Sequence, residues 1–280
     1  MKFTKLHGAG NDFLVIDARG GVARDWPNMA VAMCHRNRGA GADGMLLVRE
    51  SEGADLRMVL YNADGSEAET SGNGLRCFVK YAIDHGVTPK GRSEITVETG
   101  AGVSRASGIV KNGLVQSVRV SMGRPHFEPQ DVPVAVEAKA PILDLPLKIG
   151  RTKLSLTCVS MGNPHAVQLL TDPVDVYPLN TIGPQVETHA LFPARVNFSV
   201  ARVVDRSHIE SRTWERGVGE TLACGTGASA VLVTARLHDL AGDRVQLMQT
   251  GGSLVVEWDG EGEVYLTGTA FEVFAGEWPE

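Results

Sequence analysis

The chain has no CxxC pair, no cluster of Lys and Arg, and no apolar run that approaches the roughly 20 residues needed to cross a bilayer. Each lack excludes a class of protein. Its cysteines, Cys34, Cys77, Cys158 and Cys224, are scattered, so neither a metal site nor a disulfide framework is expected and the thiols are read as reduced. A formal charge of -6 without a basic stretch argues against a nucleic-acid or membrane surface and for a small-molecule partner. The opening MKFTKLHGAGNDF lacks the apolar segment of a signal peptide, which makes the cytoplasm the expected compartment. What is present is a 280-residue chain with a 43% hydrophobic fraction, enough to bury one large core or two ordinary ones.

A duplication is visible in the spacing of similar stretches. ETSGNGL around Ser71 answers LACGTGA around Cys224 at an offset of 153 positions. Asn11 in GAGNDF answers Asn163 in SMGNPH at 152, and Thr99 in ETGAG answers Thr250 in QTGGS at 151. After SGNG, the apolar residues Leu75, Phe78, Val79, Ala82 and Ile83 follow the spacing of one buried helix face, stopped by Gly86. The same offset leads to Ala228, Val231, Leu232 and Ala235, with the pattern lapsing at Arg236.

Around these helices the chain reads as short strands: Phe13 to Asp17, Met45 to Val48, Leu56 to Tyr61, Ile95 to Glu98 and Val115 to Ser121 in the first half. The second half adds Leu154 to Val159, Val196 to Val204, Ile209 to Trp214, Val245 to Gln249, Leu254 to Trp258 and Val264 to Thr267. The expected class is α+β, with two pseudo-symmetric domains, each a curled, barrel-like mixed or antiparallel sheet around a central helix. The turn-rich MGRPHFEPQDVP is placed between them. Expected boundaries are residues 1–123, joined by 271–280, and residues 124–270.

A helix N-terminus attracts anions through unpaired N–H groups and the macrodipole, and a thiol placed there is expected to ionise more readily. Cys224 stands at such a place; the bland reading is a small buried hydrophobe in a tight turn. Polar residues gather nearby in sequence: Glu215 and Arg216 in RTWERGVGE, and Asn62 and Asp64 in the nearly aligned LYNADGSEAE. Asn11 and Asn163 sit in Gly-flanked loops, where an Asn is commonly a turn former. His165, two residues beyond Asn163, is by itself a weak signal, and Arg216 could simply pair with Glu215. A ligand bearing both carboxylates and ammonium groups would need this mixture of donors and acceptors.

These segments together resemble the diaminopimelate epimerase family. KLHGAGNDFLVID resembles its opening segment, GAGADG its second loop, YNADGSEAE its substrate loop, VSMGNPH the start of its second half, and ERGVGETLACGTGA its most specific signature. The resemblance implies two pseudo-symmetric barrel-like domains, usually a homodimer, and inversion of one α-carbon of LL-diaminopimelate to the meso isomer without pyridoxal phosphate, metal or other cofactor. It also implies roles. Asn11, Asn62, Asn163 and Asn197 match residues that recognise or orient the substrate, and Glu215 and Arg216 match a substrate-contacting pair. Gly72, Asn73, Gly225 and Thr226 match the turns that hold the reacting carboxylate. His165 and Glu215 match residues that assist thiol ionisation, and Cys224 matches one catalytic thiol.

Where the family carries its second catalytic thiol, this chain has Ser71. Thr70 and Ser229 also depart from the family pattern. Inversion without a cofactor needs a base on one face of the carbon and an acid on the other. A Ser hydroxyl needs a neighbouring base to react, whereas a thiol titrates near pH 8.5. Cys77 is a poor substitute, lying about one and a half turns inside the helix. Several readings stay open: an epimerase in which Ser71 suffices, a related racemase or one-base lyase acting on another amino acid, a serine introduced for a lost cysteine, or a cleft that binds substrate without turning it over.

Overall fold

Two thirteen-residue helices, Gly72–Asp84 and Gly225–Leu237, each stand at the centre of one of two compact units of the computed structural model. The structure describes residues 1–21, 23–69 and 71–279; Thr70, singled out above, lies outside them. The first unit comprises Met1–Ser121 with Thr267–Glu280, and the second Met122–Leu266.

The first unit carries β1 (Lys2–Gly8), β2 (Asn11–Asp17), α1 (Trp26–Cys34), β3 (Gly44–Arg49), β4 (Leu56–Asn62), β5 (Glu67–Ala68), α2 (Gly72–Asp84), β6 (Glu94–Thr99), β7 (Gly102–Lys111) and β8 (Leu114–Ser121). The second carries β9 (Ile142–Ile149), β10 (Thr152–Ser160), β11 (Pro164–Leu170), α3 (Leu179–Glu187), β12 (Asn197–Asp205), β13 (His208–Glu215), β14 (Gly219–Thr221), α4 (Gly225–Leu237), β15 (Arg244–Gln249) and β16 (Gly252–Glu257). β17 (Tyr265–Thr269) spans the boundary, and β18 (Phe271–Glu277) returns to pair with β1.

Strand pairing repeats between the units. In the first, β18–β1 and β1–β2 are antiparallel, β2–β3 parallel, β3–β4 antiparallel, β4–β6 parallel and β6–β7 antiparallel. In the second the same succession runs β9–β10, β10–β11, β11–β12, β12–β13, β13–β15 and β15–β16. Even the short strands match: β5 lies antiparallel on β4, and β14 on β13. The expected pair of pseudo-symmetric domains is therefore seen in the order and sense of pairing.

Each sheet wraps its helix. α2 packs against β1, β2, β3, β4, β7 and β8, and α4 against β10, β11, β12, β13 and β16. Burial consequently extends beyond the one face that the apolar spacing predicts: Arg76, Cys77 and Lys80 of α2 are buried along with Leu75, Phe78 and Val79. Each fully buried apolar side chain of this kind contributes about 1.5–3 kcal/mol. Lys80 is accommodated because Asp84 lies 2.7 Å away and the Val115 carbonyl accepts a second bond at 2.7 Å, while Val115 N–H donates to Asp84. Among the described residues no helix is long and apolar enough to cross a membrane.

Candidate functional site

The two central helices begin in the same way. Ser71 caps α2 in extended backbone (φ -146, ψ 123), and its Oγ accepts the Gly74 N–H at 3.1 Å. Cys224 caps α4 with φ -123 and ψ 114, and its Sγ accepts the Gly227 N–H at 3.4 Å. In both, the third helical residue is a glycine closely approached by its surroundings, more tightly at Gly227 than at Gly74. A Cβ on Gly74 would meet Ser71 Cβ at 3.2 Å, and one on Gly227 would meet Thr213 Oγ1 at 2.8 Å and Cys224 Sγ at 3.3 Å. The helices also end alike, with His85 and His238 as C-caps 153 positions apart, the same offset as Ser71 and Cys224.

In the second unit Cys224 is buried, and its thiol donates to Glu215 Oε2 at 3.1 Å. Glu215 Oε1 accepts from Thr221 Oγ1 at 2.5 Å, fixing the carboxylate. Thr226 Oγ1 lies 3.6 Å from Sγ and accepts from Asn163 Nδ2 at 3.4 Å, and Asn163 Oδ1 meets His165 Nε2 at 2.9 Å. Asn197 is placed by Pro164, whose carbonyl accepts its Nδ2 at 2.8 Å, and by the Arg216 N–H, which donates to its Oδ1 at 2.9 Å. Glu215, Cys224, Thr226, Asn163 and His165 thus form one hydrogen-bonded line, with Asn197 and Arg216 beside it. Gly225 and Thr226 open α4, where backbone N–H groups have no acceptor within the helix.

Two expectations change. Burial, followed by the adjacent Glu215 carboxylate, pushes the Cys224 thiol far above its ordinary value, against the smaller opposing effects of the Thr226 and Gly227 hydrogen bonds. The N-terminal position does not lower it, because desolvation of a thiolate outweighs the dipole when the sulfur is enclosed. Nor does Arg216 pair with Glu215: its Nη1 donates to the Ala194 carbonyl at 2.9 Å. His165 is fully buried and its Nε2 is bonded to Asn163 and not to Cys224; burial, and then the Arg216 charge, bring its pKa down to about 3, so the ring is neutral.

In the first unit Asn11, at the start of β2, follows the two-residue turn Ala9–Gly10, both in left-handed backbone (φ 54 and 85). Asn11 Oδ1 accepts from Asn73 Nδ2 at 3.2 Å and its Nδ2 donates to Asp43 at 2.7 Å. Ser71, Gly72, Asn73 and Asn11 are therefore gathered about the α2 N-terminus. Asn62 is not drawn into this group by hydrogen bonds; it is exposed, and its Nδ2 donates to Ser66 Oγ at 3.0 Å within its own turn. Cys77 is fully buried, and burial pushes its thiol up to about 12, as it does Cys34 and Cys158. Among the described residues no cluster of three or more His, Cys, Asp or Glu could hold a metal ion.

Supporting residues escaped the sequence reading. Gln249 clamps the backbone of Cys224, accepting its N–H at 3.0 Å and donating to its carbonyl at 3.3 Å. Glu187 accepts the Trp214 indole N–H at 2.7 Å and the Gly217 N–H at 2.9 Å, holding the loop that carries Arg216. In the first unit Asp43 also receives Arg36, which forks onto Asp12 at 2.8 and 3.0 Å. Only Gln249 left a trace, as the first residue of the repeated QTGGS segment.

The architecture defines the class as the racemase and epimerase fold. A probable proline racemase from Agrobacterium radiobacter K84 superposes with a TM-score of 0.69 at 19% identity, covering 99% of this chain and 92% of that one. The profile described as diaminopimelate epimerase matches residues 3–128 and 157–273. The chain is 44% identical to the diaminopimelate epimerase of Moorella thermoacetica, covering all of this chain and 99% of the relative. It is 43% identical to that of Acetivibrio thermocellus, covering 99% and 98%. The chain belongs to the diaminopimelate epimerase family and is an isomerase of that kind.

Proposed function

We propose that the protein inverts one α-carbon of LL-2,6-diaminopimelate to give the meso isomer, a step of lysine and peptidoglycan precursor synthesis, by proton transfer between side chains and carbon. The observation that carries this reading is the Cys224–Glu215 contact of 3.1 Å at the N-terminus of α4, within a chain similar to diaminopimelate epimerases along its whole length. Glu215 accepts the thiol proton, and the thiolate is held by the Gly227 N–H and Thr226 as it removes the substrate α-proton. Ser71 stands in the position of the second proton-transfer group. Backbone N–H groups at Gly72, Asn73, Gly225 and Thr226 hold the reacting carboxylate. Asn11, Asn62, Asn163, Asn197, Glu215 and Arg216 take the remaining carboxylate and ammonium groups, with His165 orienting Asn163. The protein works in the cytoplasm as a homodimer, for which the exposed apolar side chains Phe271, Val273 and Phe274 of β18 offer contact area.

A second reading follows from Ser71. A hydroxyl is a far weaker acid than a thiol, so a site with one competent base would exchange the α-proton of one isomer faster than it inverts it, or serve a related racemisation, a one-base elimination or simple binding. Incubation of the purified protein with LL- or meso-diaminopimelate in D₂O, followed by mass and chiral analysis, separates the two. Label in both isomers with inversion supports the epimerase; label retained in one isomer supports the one-base site. Tight binding with no label sinks both enzymatic readings.

A further inference from the structure

Arg76, in the first turns of α2, is fully buried. Among the described residues no carboxylate comes within ion-pair distance of it, whereas buried Lys80, one turn on, has Asp84. Burial brings its pKa down only to about 10, so the side chain remains a cation at neutral pH. A buried guanidinium without a counter-charge is a poor choice for packing alone, since an apolar side chain of similar volume would fill the space without desolvating a charge.

Its hydrogen bonds lead towards the candidate site. Nη2 donates to Asn73 Oδ1 at 2.8 Å, and Nη1 reaches the Gly72 carbonyl at 3.4 Å. Asn73 Nδ2 donates to Asn11 Oδ1 at 3.2 Å, and Asn11 Nδ2 donates to Asp43 at 2.7 Å. A guanidinium can only donate and an ionised carboxylate can only accept, so the two ends of this relay fix which way both carboxamides face. Gly8 leaves the space for it: a Cβ there would stand 3.2 Å from Arg76 Nη2.

We propose that Arg76 is a positioning residue for substrate binding: through Asn73 it sets the orientation of the Asn73 and Asn11 carboxamides, and its unmatched charge favours a carboxylate at the N-terminus of α2. This rests on the reading of Asn11 and Asn73 as substrate-contacting residues. It assigns to the first unit an electrostatic preference that a helix end with neutral side chains would have only weakly.

The test is calorimetric titration of meso-diaminopimelate into the intact protein and into Arg76→Met and Arg76→Lys, with thermal unfolding recorded for each. Arg76→Met is expected to weaken binding by about tenfold, the effect of losing one hydrogen bond to a charged group, while remaining folded. Arg76→Lys, which keeps the charge and one donor, is expected to recover most of that loss. Binding by Arg76→Met within about twofold of the unaltered protein overturns the role, as does Arg76→Lys binding no better than Arg76→Met. Should Arg76→Met not fold, Gly8→Ala takes its place; its Cβ would stand 3.2 Å from Nη2 and 3.4 Å from the Asn73 carbonyl, a severalfold weakening is expected, and unchanged binding overturns the proposal. If the unaltered protein does not bind diaminopimelate, the functional reading itself falls and this role falls with it; binding that the Arg76 variants retain removes this role alone.

Discussion

Cys224 Sγ donates to Glu215 Oε2 at 3.1 Å, while the other oxygen of that carboxylate is occupied by the Thr221 hydroxyl at 2.5 Å. The thiol therefore has one committed acceptor, and the carboxylate that receives its proton also raises its pKa while charged. Glu215→Gln separates these effects. The Cys224 pKa is expected to fall, because a negative neighbour is removed, yet inversion is expected to drop by about 100-fold because the proton acceptor has gone. Alkylation of Cys224 followed against pH, with the modified cysteine identified by mass spectrometry, reads the first. An undiminished inversion rate would remove Glu215 from the proposed chemistry.

Gly227 keeps the thiol where Glu215 can reach it. A methyl group there would meet Thr213 Oγ1 at 2.8 Å and Cys224 Sγ at 3.3 Å, and Thr213 is itself bonded to Ser199 at 2.9 Å inside the sheet. Gly227→Ala is expected to lower unfolding free energy by about 1–3 kcal/mol and to reduce turnover more than substrate affinity. At Gly74 the tightest contacts are Ser71 Cβ at 3.2 Å and Leu46 Cδ2 at 3.4 Å. Gly74→Ala is accordingly the milder change in urea denaturation, and an equal loss at the two positions would show that the glycines serve only the helix turns.

The central helices were legible because apolar spacing and a capping turn recur twice in LRCFVKYAI and ASAVLVTAR. The remaining elements hid for different reasons. α1 is capped by Asp25, but Pro27 and Asn28 in its first turn make the segment read as a loop, and α3 carries Pro184 inside it. β11 opens on Pro164 immediately after a Gly–Asn turn, and β18 is exposed along nearly its whole length and shows no alternation. At the site, residue types named the chemistry, while burial reversed the direction of the Cys224 shift. Burial depends on where β13 and β15 place Glu215 and Gln249 around the cap. No local pattern records that, nor the use of Arg76 beneath Asn73.

His165 should leave a mark on the pH dependence of stability. Burial holds its native pKa at about 3, against an ordinary value of 6.5. The unfolded chain therefore binds a proton that the native chain refuses, and the stability present above pH 6.5 is lost progressively as pH falls towards 3. In urea denaturation between pH 7 and pH 4, His165→Gln is expected to show a shallower decline than the unaltered protein. Parallel declines would mean that His165 is protonated in the native state.

Ser71 and Cys224 occupy equivalent caps, which predicts what exchanging one for the other does. Ser71 Oγ accepts the Gly74 N–H at 3.1 Å, and the corresponding sulfur on α4 accepts the Gly227 N–H at 3.4 Å, so a thiol is already accommodated in this geometry. Ser71→Cys is expected to fold normally, with a stability loss below about 1 kcal/mol, since sulfur caps less strongly than a hydroxyl. Ser71→Ala removes the cap altogether and is expected to cost about 1 kcal/mol in denaturant unfolding. Their effects on chemistry should diverge. Ser71→Cys supplies a thiol, a far stronger acid than the hydroxyl, and inversion of diaminopimelate is expected to rise by about 100-fold. Ser71→Ala leaves inversion lower than in the unaltered protein while α-proton exchange through Cys224 persists. Cys224→Ser should abolish both reactions. If Ser71→Cys folds and binds substrate but inverts it no faster, the hydroxyl is not what limits the reaction, and the serine is a competent partner of Cys224.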